Sequence, residues 1–175
     1  MVCRLPIVGV MGSGSDGWPR LSDPLGRALA ARPVHLLTGG GGGVMAAVAE
    51  SFCAVPHRAG LSIAIVPLHD GAMGSRYPNP FCELVIPSGL PRFDPARPEQ
   101  RTRNHMNIEM ADIILALPGG QGTRHEMELA QQAHKPLLAC GPKDRFDPVP
   151  DHHVTLMTGL VDWLDDQIAR FDRSH

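Results

Sequence analysis

Three glycine-rich loops hold the residues best suited to chemistry. They are Gly12-Ser13-Gly14-Ser15-Asp16-Gly17, then Thr38-Gly39-Gly40-Gly41-Gly42-Gly43-Val44-Met45, then Leu117-Pro118-Gly119-Gly120-Gln121-Gly122-Thr123-Arg124-His125-Glu126. Glycine lets a backbone approach an anion closely and lets successive N–H groups converge on it, so the chemistry these loops suggest is phosphate binding. A tight turn and close helix packing would account for two of the five consecutive glycines in the second loop, but hardly for five.

The loops fit the commonest nucleotide motifs poorly. Gly12 to Gly17 matches GxGxxG, yet a dinucleotide site also needs an acidic residue near the end of the second strand, and here Leu36-Leu37-Thr38 runs straight into glycine. A triphosphate loop would continue Gly-Lys-Ser/Thr, where this chain has Val44 and Met45. In the third loop Thr123 can cap a helix and offer its hydroxyl to a phosphate. Thr123-x-x-Glu126 also reads as a capping box, in which Glu126 would only bond back to the Thr123 N–H. The residues alone leave both readings open.

No metal site is expected. His125-Glu126 lacks the second histidine of HExxH, because position 129 is Leu129, and His152 and His153 are adjacent and poorly placed to share one ion. The four cysteines, Cys3, Cys53, Cys82 and Cys140, are too far apart in sequence for a CxxC knuckle, and reduced thiols in a cytoplasmic protein are expected.

The elements that must position these loops are short apolar runs at Ile7 to Met11, Val34 to Leu37, Leu61 to Val66, Leu84 to Ile86, Ile113 to Leu117 and Leu137 to Ala139. Runs that are apolar throughout imply strands covered on both faces. Helical patterns alternate with them at Leu21 to Ala31, Val44 to Cys53, Arg103 to Met110, Glu126 to His134 and Val154 to Phe171. The order predicts one α/β domain over residues 1–175, a doubly wound, mostly parallel sheet with helices on both faces. The Pro- and Gly-rich stretch from His69 to Gln100 reads as an excursion over the top of the sheet, and Gly141 to Pro150 as a second loop.

Composition narrows the function classes. Charged residues make up 19% and hydrophobic ones 43%, and 16 Lys+Arg against 18 Asp+Glu leave a net charge of −2, which excludes disorder and a strongly basic nucleic-acid surface. No signal peptide or run long enough to span a membrane is apparent, so neither a nucleic acid nor a membrane is expected as partner. The low aromatic content, 5%, suggests a core helped by a partner subunit.

The second and third loops together carry a resemblance. Pro118 to Glu126 is a complete PGGxGTxxE motif, and Val8-Gly9-Val10-Met11-Gly12-Ser13-Gly14, Leu37 to Gly41 with Gly43-Val44-Met45, and Arg103-Asn104-His105-Met106-Asn107 through Ala111-Asp112 support it. Over residues 6 to about 140 the sequence resembles the LOG-like (SLOG) superfamily, once labelled lysine decarboxylases, and looks closest to the bacterial branch that includes molybdenum cofactor carrier proteins. The resemblance implies a Rossmann-like, usually dimeric, nucleotide-binding fold. It also implies cleavage of the N-glycosidic bond of a nucleoside 5′-monophosphate to base and ribose 5-phosphate, with Glu126 and Arg103 as the catalytic pair and no required cofactor.

A carboxylate near the anomeric carbon can stabilise the oxocarbenium-like state or orient water, and an arginine can hold phosphate or ribose oxygens bidentately. Asn104 and Asn107 would share a polar face with Arg103, unless they merely cap the helix. Family hydrolases carry Lys directly after that arginine, where this chain has Asn104. That departure leaves a second expectation, a non-catalytic carrier or sensor of a phosphorylated ligand such as a molybdopterin-type cofactor. Pyridoxal phosphate chemistry is not expected, since the only two lysines, Lys135 and Lys143, lie before a strand and in a polar loop.

Overall fold

The computed structural model describes residues 4–68 and 77–174. Their strands are β1 (Ile7–Met11), β2 (His35–Thr38), β3 (Ser62–Val66), β4 (Leu84–Pro87), β5 (Ile113–Ala116), β6 (Leu137–Cys140) and β7 (His153–Val154), in one parallel sheet ordered β4-β3-β2-β1-β5-β6-β7. The helices are α1 (Pro19–Ala30), α2 (Val44–Cys53), α3 (Arg103–Met110), α4 (Gln121–Gln132) and α5 (Met157–Ser174).

Alternation along buried strands divides the core in two. Val8, Val10, Leu36, Ile113, Leu115, Leu138 and Cys140 face α1, α2 and α5, through Leu25, Leu29, Val48, Phe52, Leu160 and Leu164. Met11, Leu37, Ile63, Ile65, Ile114, Ala116, Leu137 and Ala139 face α3 and α4, through Ile108, Met127 and Ala130. Each strand residue thus goes to the opposite side from its neighbour, as the pleat requires. Gly9 permits the α3 side to close: a Cβ there would lie 3.0 Å from Ala111 Cβ and 3.2 Å from Ile114 Cδ1.

Chain order runs outward from β1 to β4, then returns to the other side of β1 with β5. Val8 to Met11 are in register with Ile113 to Ala116, and between these two strands the connections leave in opposite directions. Such a switch point opens a crevice at the carboxyl ends of the strands, where ligands of open α/β sheets bind.

Three sequence expectations change. Helix α4 begins at Gln121, five residues before the expected Glu126, with Gly120 as its N-cap. A seventh strand, His153–Val154, pairs with Ala139–Cys140 at the end of the loop expected over Gly141 to Pro150, and α5 starts only at Met157. The strand expected at Leu84 to Ile86 within the excursion forms as β4, a parallel edge strand against β3, while residues 69–76 of the excursion lie outside the described residues.

Candidate functional site

The loops after β1, β2 and β5 are tied together through Ser13. Its N–H donates to Pro118 O (3.1 Å), and its carbonyl accepts from Val44 N (2.9 Å). This approach requires Gly43, which has φ 59° and ψ −132° as N-cap of α2 and where a Cβ would overlap Ser13 O. Thr38 Oγ1 accepts from Gly40 N (3.1 Å) inside the second loop. Asn79 closes that loop from outside, its N–H donating to Gly40 O (2.8 Å) and its Nδ2 to Gly41 O (2.9 Å).

Between the loops lies a cavity of about 510 Å³. Of the expected site residues, Gly12, Ser13, Gly14, Gly39, Gly42, Met45, Arg103, Asn104, Gly120, Gln121, Gly122, Thr123 and Glu126 line it. Thr38, Gly40, Gly41, Gly43, Asn107, Pro118 and Gly119 do not; they stand behind it. Gly119 shows why: a Cβ there would overlap Thr123 Oγ1 and sit 2.9 Å from Ser13 N, so this glycine serves packing. A Cβ on Gly120 or Gly122 would meet nothing within 4 Å. The first turn of α4 is therefore open, and it presents unpaired N–H groups and the positive end of the helix dipole.

Helix α3 supplies the other wall. Its first residue, Arg103, is 7% exposed and reaches back across β2's loop, so that a Cβ on Gly39 would overlap its Nη1. Arg103 Nη1 donates to Ile65 O (3.4 Å), and its Nε is buried without a partner. The arginine is thus no surface residue at a helix start. Capping of α3 falls to Thr102 and His105, whose Nδ1 accepts from Thr102 N (3.1 Å), and not to Asn104 or Asn107. Asn107 Nδ2 donates to Glu126 Oε1 (3.1 Å), while Asn104 Nδ2 donates to Gly122 O (3.3 Å) and lies 3.3 Å from His125 Nδ1.

The early start of α4 overturns the capping-box reading. Thr123 falls inside the first turn, and Glu126, one turn on, points to Asn107 and the cavity instead of the Thr123 N–H. Burial pushes the Glu126 carboxyl above the usual carboxylate range; the charge of Arg103 and the Asn107 hydrogen bond offset only part of that. A carboxyl held in this way can exchange a proton nearer neutral pH than a free one.

Tyr77, Arg92, Phe93 and Pro95 also line the cavity, and sequence reading did not single them out. They come from the excursion, where proline spacing hides any periodicity; an aromatic and an arginine beside prolines at Arg92-Phe93 was the one signal there. Among the described residues, no group of three or more His, Cys, Asp or Glu is placed to hold a metal ion, and no helix is long and apolar enough to cross a membrane.

A fully parallel, doubly wound sheet whose glycine loops meet at its switch point is a Rossmann-like arrangement. The chain belongs to the SLOG cluster4 family, whose model matches residues 5–160. A comparison with curated proteins gives no significant sequence match. Among solved structures, the chain is similar to the molybdenum cofactor binding protein of the phototrophic bacterium Rippkaea orientalis, with TM-score 0.73 and 23% identity over 94% of this chain and 98% of that one. It is also similar to the molybdenum cofactor carrier protein of Chlamydomonas reinhardtii, with TM-score 0.72 and 23% identity over 95% and 99%. A more distant likeness is DNA processing protein A of Helicobacter pylori, described as binding single-stranded DNA, with TM-score 0.56 and 17% identity over 98% and 80%. At these identities the likeness is one of fold.

Proposed function

We propose that the cleft binds a phosphorylated small molecule of nucleotide size. The observation that carries this reading is the convergence of the open first turn of α4 and the Ser13-Gly14 loop on a cavity that also holds buried Arg103, whose Nε has no partner. A phosphate would sit against the N–H groups of Gly120 to Thr123, with Arg103 bonding phosphate or ribose oxygens. This reading requires no metal or cofactor beyond the bound ligand itself.

The fate of the bound ligand rests on Glu126. In the hydrolytic reading the ligand is a nucleoside 5′-monophosphate, and the carboxylate faces the anomeric carbon. The C1′–N bond breaks with its electron pair going to the base, water supplies hydroxide to C1′, and the remaining proton goes to the departing base. Glu126 stabilises the cationic sugar, and Arg103 anchors it. In the second reading the chain carries a phosphorylated ligand, such as a molybdopterin-type cofactor, without turnover. Asn104 favours it: in place of the lysine of family hydrolases stands an amide spent on Gly122 and His125. The solved relatives named for binding or carrying molybdenum cofactor point the same way. Incubation with AMP and N6-substituted adenine nucleotides, followed by chromatography for free base, separates the two. Release lost in Glu126→Gln means hydrolysis; binding without release across the panel means carriage. A homodimer and a cytoplasmic location are part of the same proposal.

A further inference from the structure

The segment that follows β4 borders the cleft with Arg92, Phe93 and Pro95. Its start is fixed by backbone, since Pro91 O accepts from Arg103 N (3.0 Å). Beyond that point, among the described residues, the hydrogen bonds of residues 94–100 run within the segment: Ala96 N to Asp94 Oδ1 (3.0 Å), Arg97 N to Asp94 O (2.9 Å) and Gln100 N to Arg97 O (3.1 Å). Two side chains tie it to the body: Arg92 lies over the Tyr77 ring, 5.9 Å from its centroid, and Phe93 makes the closer contact, stacking on the imidazole of His125 with centroids 4.2 Å apart and an interplanar angle of 17°.

His125 is in turn fixed by α3. Asn104 Nδ2 gives one proton to Gly122 O and has the other for His125 Nδ1. Turning the amide over would set Oδ1 against the Gly122 carbonyl, so Nδ2 faces the ring and Nδ1 must accept. The ring is therefore neutral, with its proton on Nε2. A proton at Nδ1 would oppose donor to donor, next to a second imidazole, His105, whose centroid is 5.4 Å away. The charged or titratable groups around His125 are His105 on α3, and Arg124 and Glu128 on α4; on the segment itself Arg92 and Asp94 flank Phe93.

We propose that His125 is a positioning residue for the cleft: as a neutral imidazole it seats Phe93 and so holds the strap of residues 92–100 against the ligand site, and on protonation it lets the strap go. Its effect on ligand retention rests on the cleft being the ligand site, whereas the closure itself does not. Burial, then the neighbouring His105, holds the His125 pKa below 6.5. A lowered pKa in the closed state means that the open state binds more protons. Closure is thus fully supported above pH 6.5 and weakens as pH falls through that value toward the closed-state pKa.

The test is hydrogen exchange of the strap amides in the ligand-free full chain at pH 7.5 and 5.5, corrected for intrinsic exchange rates. Wild type is expected to lose protection on acidification, by at most about tenfold for one histidine with an open-state pKa of 6.5. His125→Phe, which keeps a ring under Phe93 but cannot titrate, should show no such loss. Should that variant fold poorly, His125→Gln keeps an acceptor for Asn104, and its strap should exchange faster at both pH values without pH dependence. A wild-type strap indifferent to pH, or the same pH response in the variants, overturns the proposal. AMP affinity at the two pH values reads the consequence. The ligand phosphate also titrates there, so the part due to His125 is the difference between wild type and His125→Phe; strap opening with no such difference overturns the positioning role. Absence of AMP binding at pH 7.5 would instead refute the cleft as an AMP site, and the exchange result would still decide the closure.

Discussion

Asn107 on α3 donates to Glu126 on α4 across 3.1 Å, and the bond joins two walls of the cleft below its surface. Asn107 is fully buried and Glu126 is 7% exposed, so the carboxyl is kept from water while Asn107 Oδ1 remains without a partner. An amide that donates to a carboxylate stabilises the charged form, yet burial prevails and the Glu126 pKa is raised.

The raised pKa gives stability a pH signature. The folded state binds more protons than the unfolded state above pH 4.5, so ionised Glu126 costs stability as pH rises through its folded pKa. Glu126→Gln removes that cost. Its melting temperature relative to wild type should rise between pH 5 and pH 8, while its AMP affinity stays close to wild type because the loops hold the phosphate. A gap constant in pH would show that the carboxyl is not held as described.

Arg103→Ala should damage both stability and binding. It removes the nearby charge that favours ionised Glu126 and opens a void over Gly39, a loss of about 2 kcal/mol, the size expected when a buried side chain is cut back. Urea unfolding checks the first effect and AMP titration the second. A variant as stable as wild type would mean that Arg103 is not packed into the core of the site.

The glycines divide by role. Gly43→Ala forces a side chain into a positive-φ conformation against Ser13 O and should cost about 2 kcal/mol. Gly122→Ala meets open space in the first turn of α4, so it should gain about 0.5 kcal/mol in stability from helix propensity. The same methyl stands in the cleft and should weaken AMP binding. Thermal melts alongside titrations give both signs in one experiment, and equal losses of stability in the two variants would refute the division.

The fold was largely legible because strands buried on both faces leave unbroken apolar runs; β1, α2 and α3 fall at the residues that the pattern marked. The misses have physical causes. Gly120 and Gly122 made the start of α4 look like loop, since intrinsic propensity argues against glycine in a helix, whereas contact with the first loop and with α3 holds that turn in place. Two-residue β7 is too short to have a period. The loop residues, and Arg103 and Glu126 that line the same cavity, were marked by the motif. Asn79, Phe93 and the links of Asn104 to Gly122 and His125 were not, because they depend on how distant segments meet.

A prediction on assembly comes from the sheet edge. Edge strand β4 leaves Leu84 44% and Val85 36% exposed, and the unpaired side of such a strand favours association. Sedimentation at micromolar concentration should give a species of twice 18.8 kDa. A single species of 18.8 kDa would rule out the dimer.

The most direct measurement of the central claim is calorimetric titration with AMP and with adenosine, which differ only in the phosphate. If α4's open turn and Arg103 form a phosphate site, AMP should bind at least about tenfold more tightly than adenosine, in line with one or two charge-assisted hydrogen bonds. That preference should collapse in Arg103→Ala. Equal affinity for the two ligands, or a preference for AMP untouched by the loss of Arg103, would contradict the account.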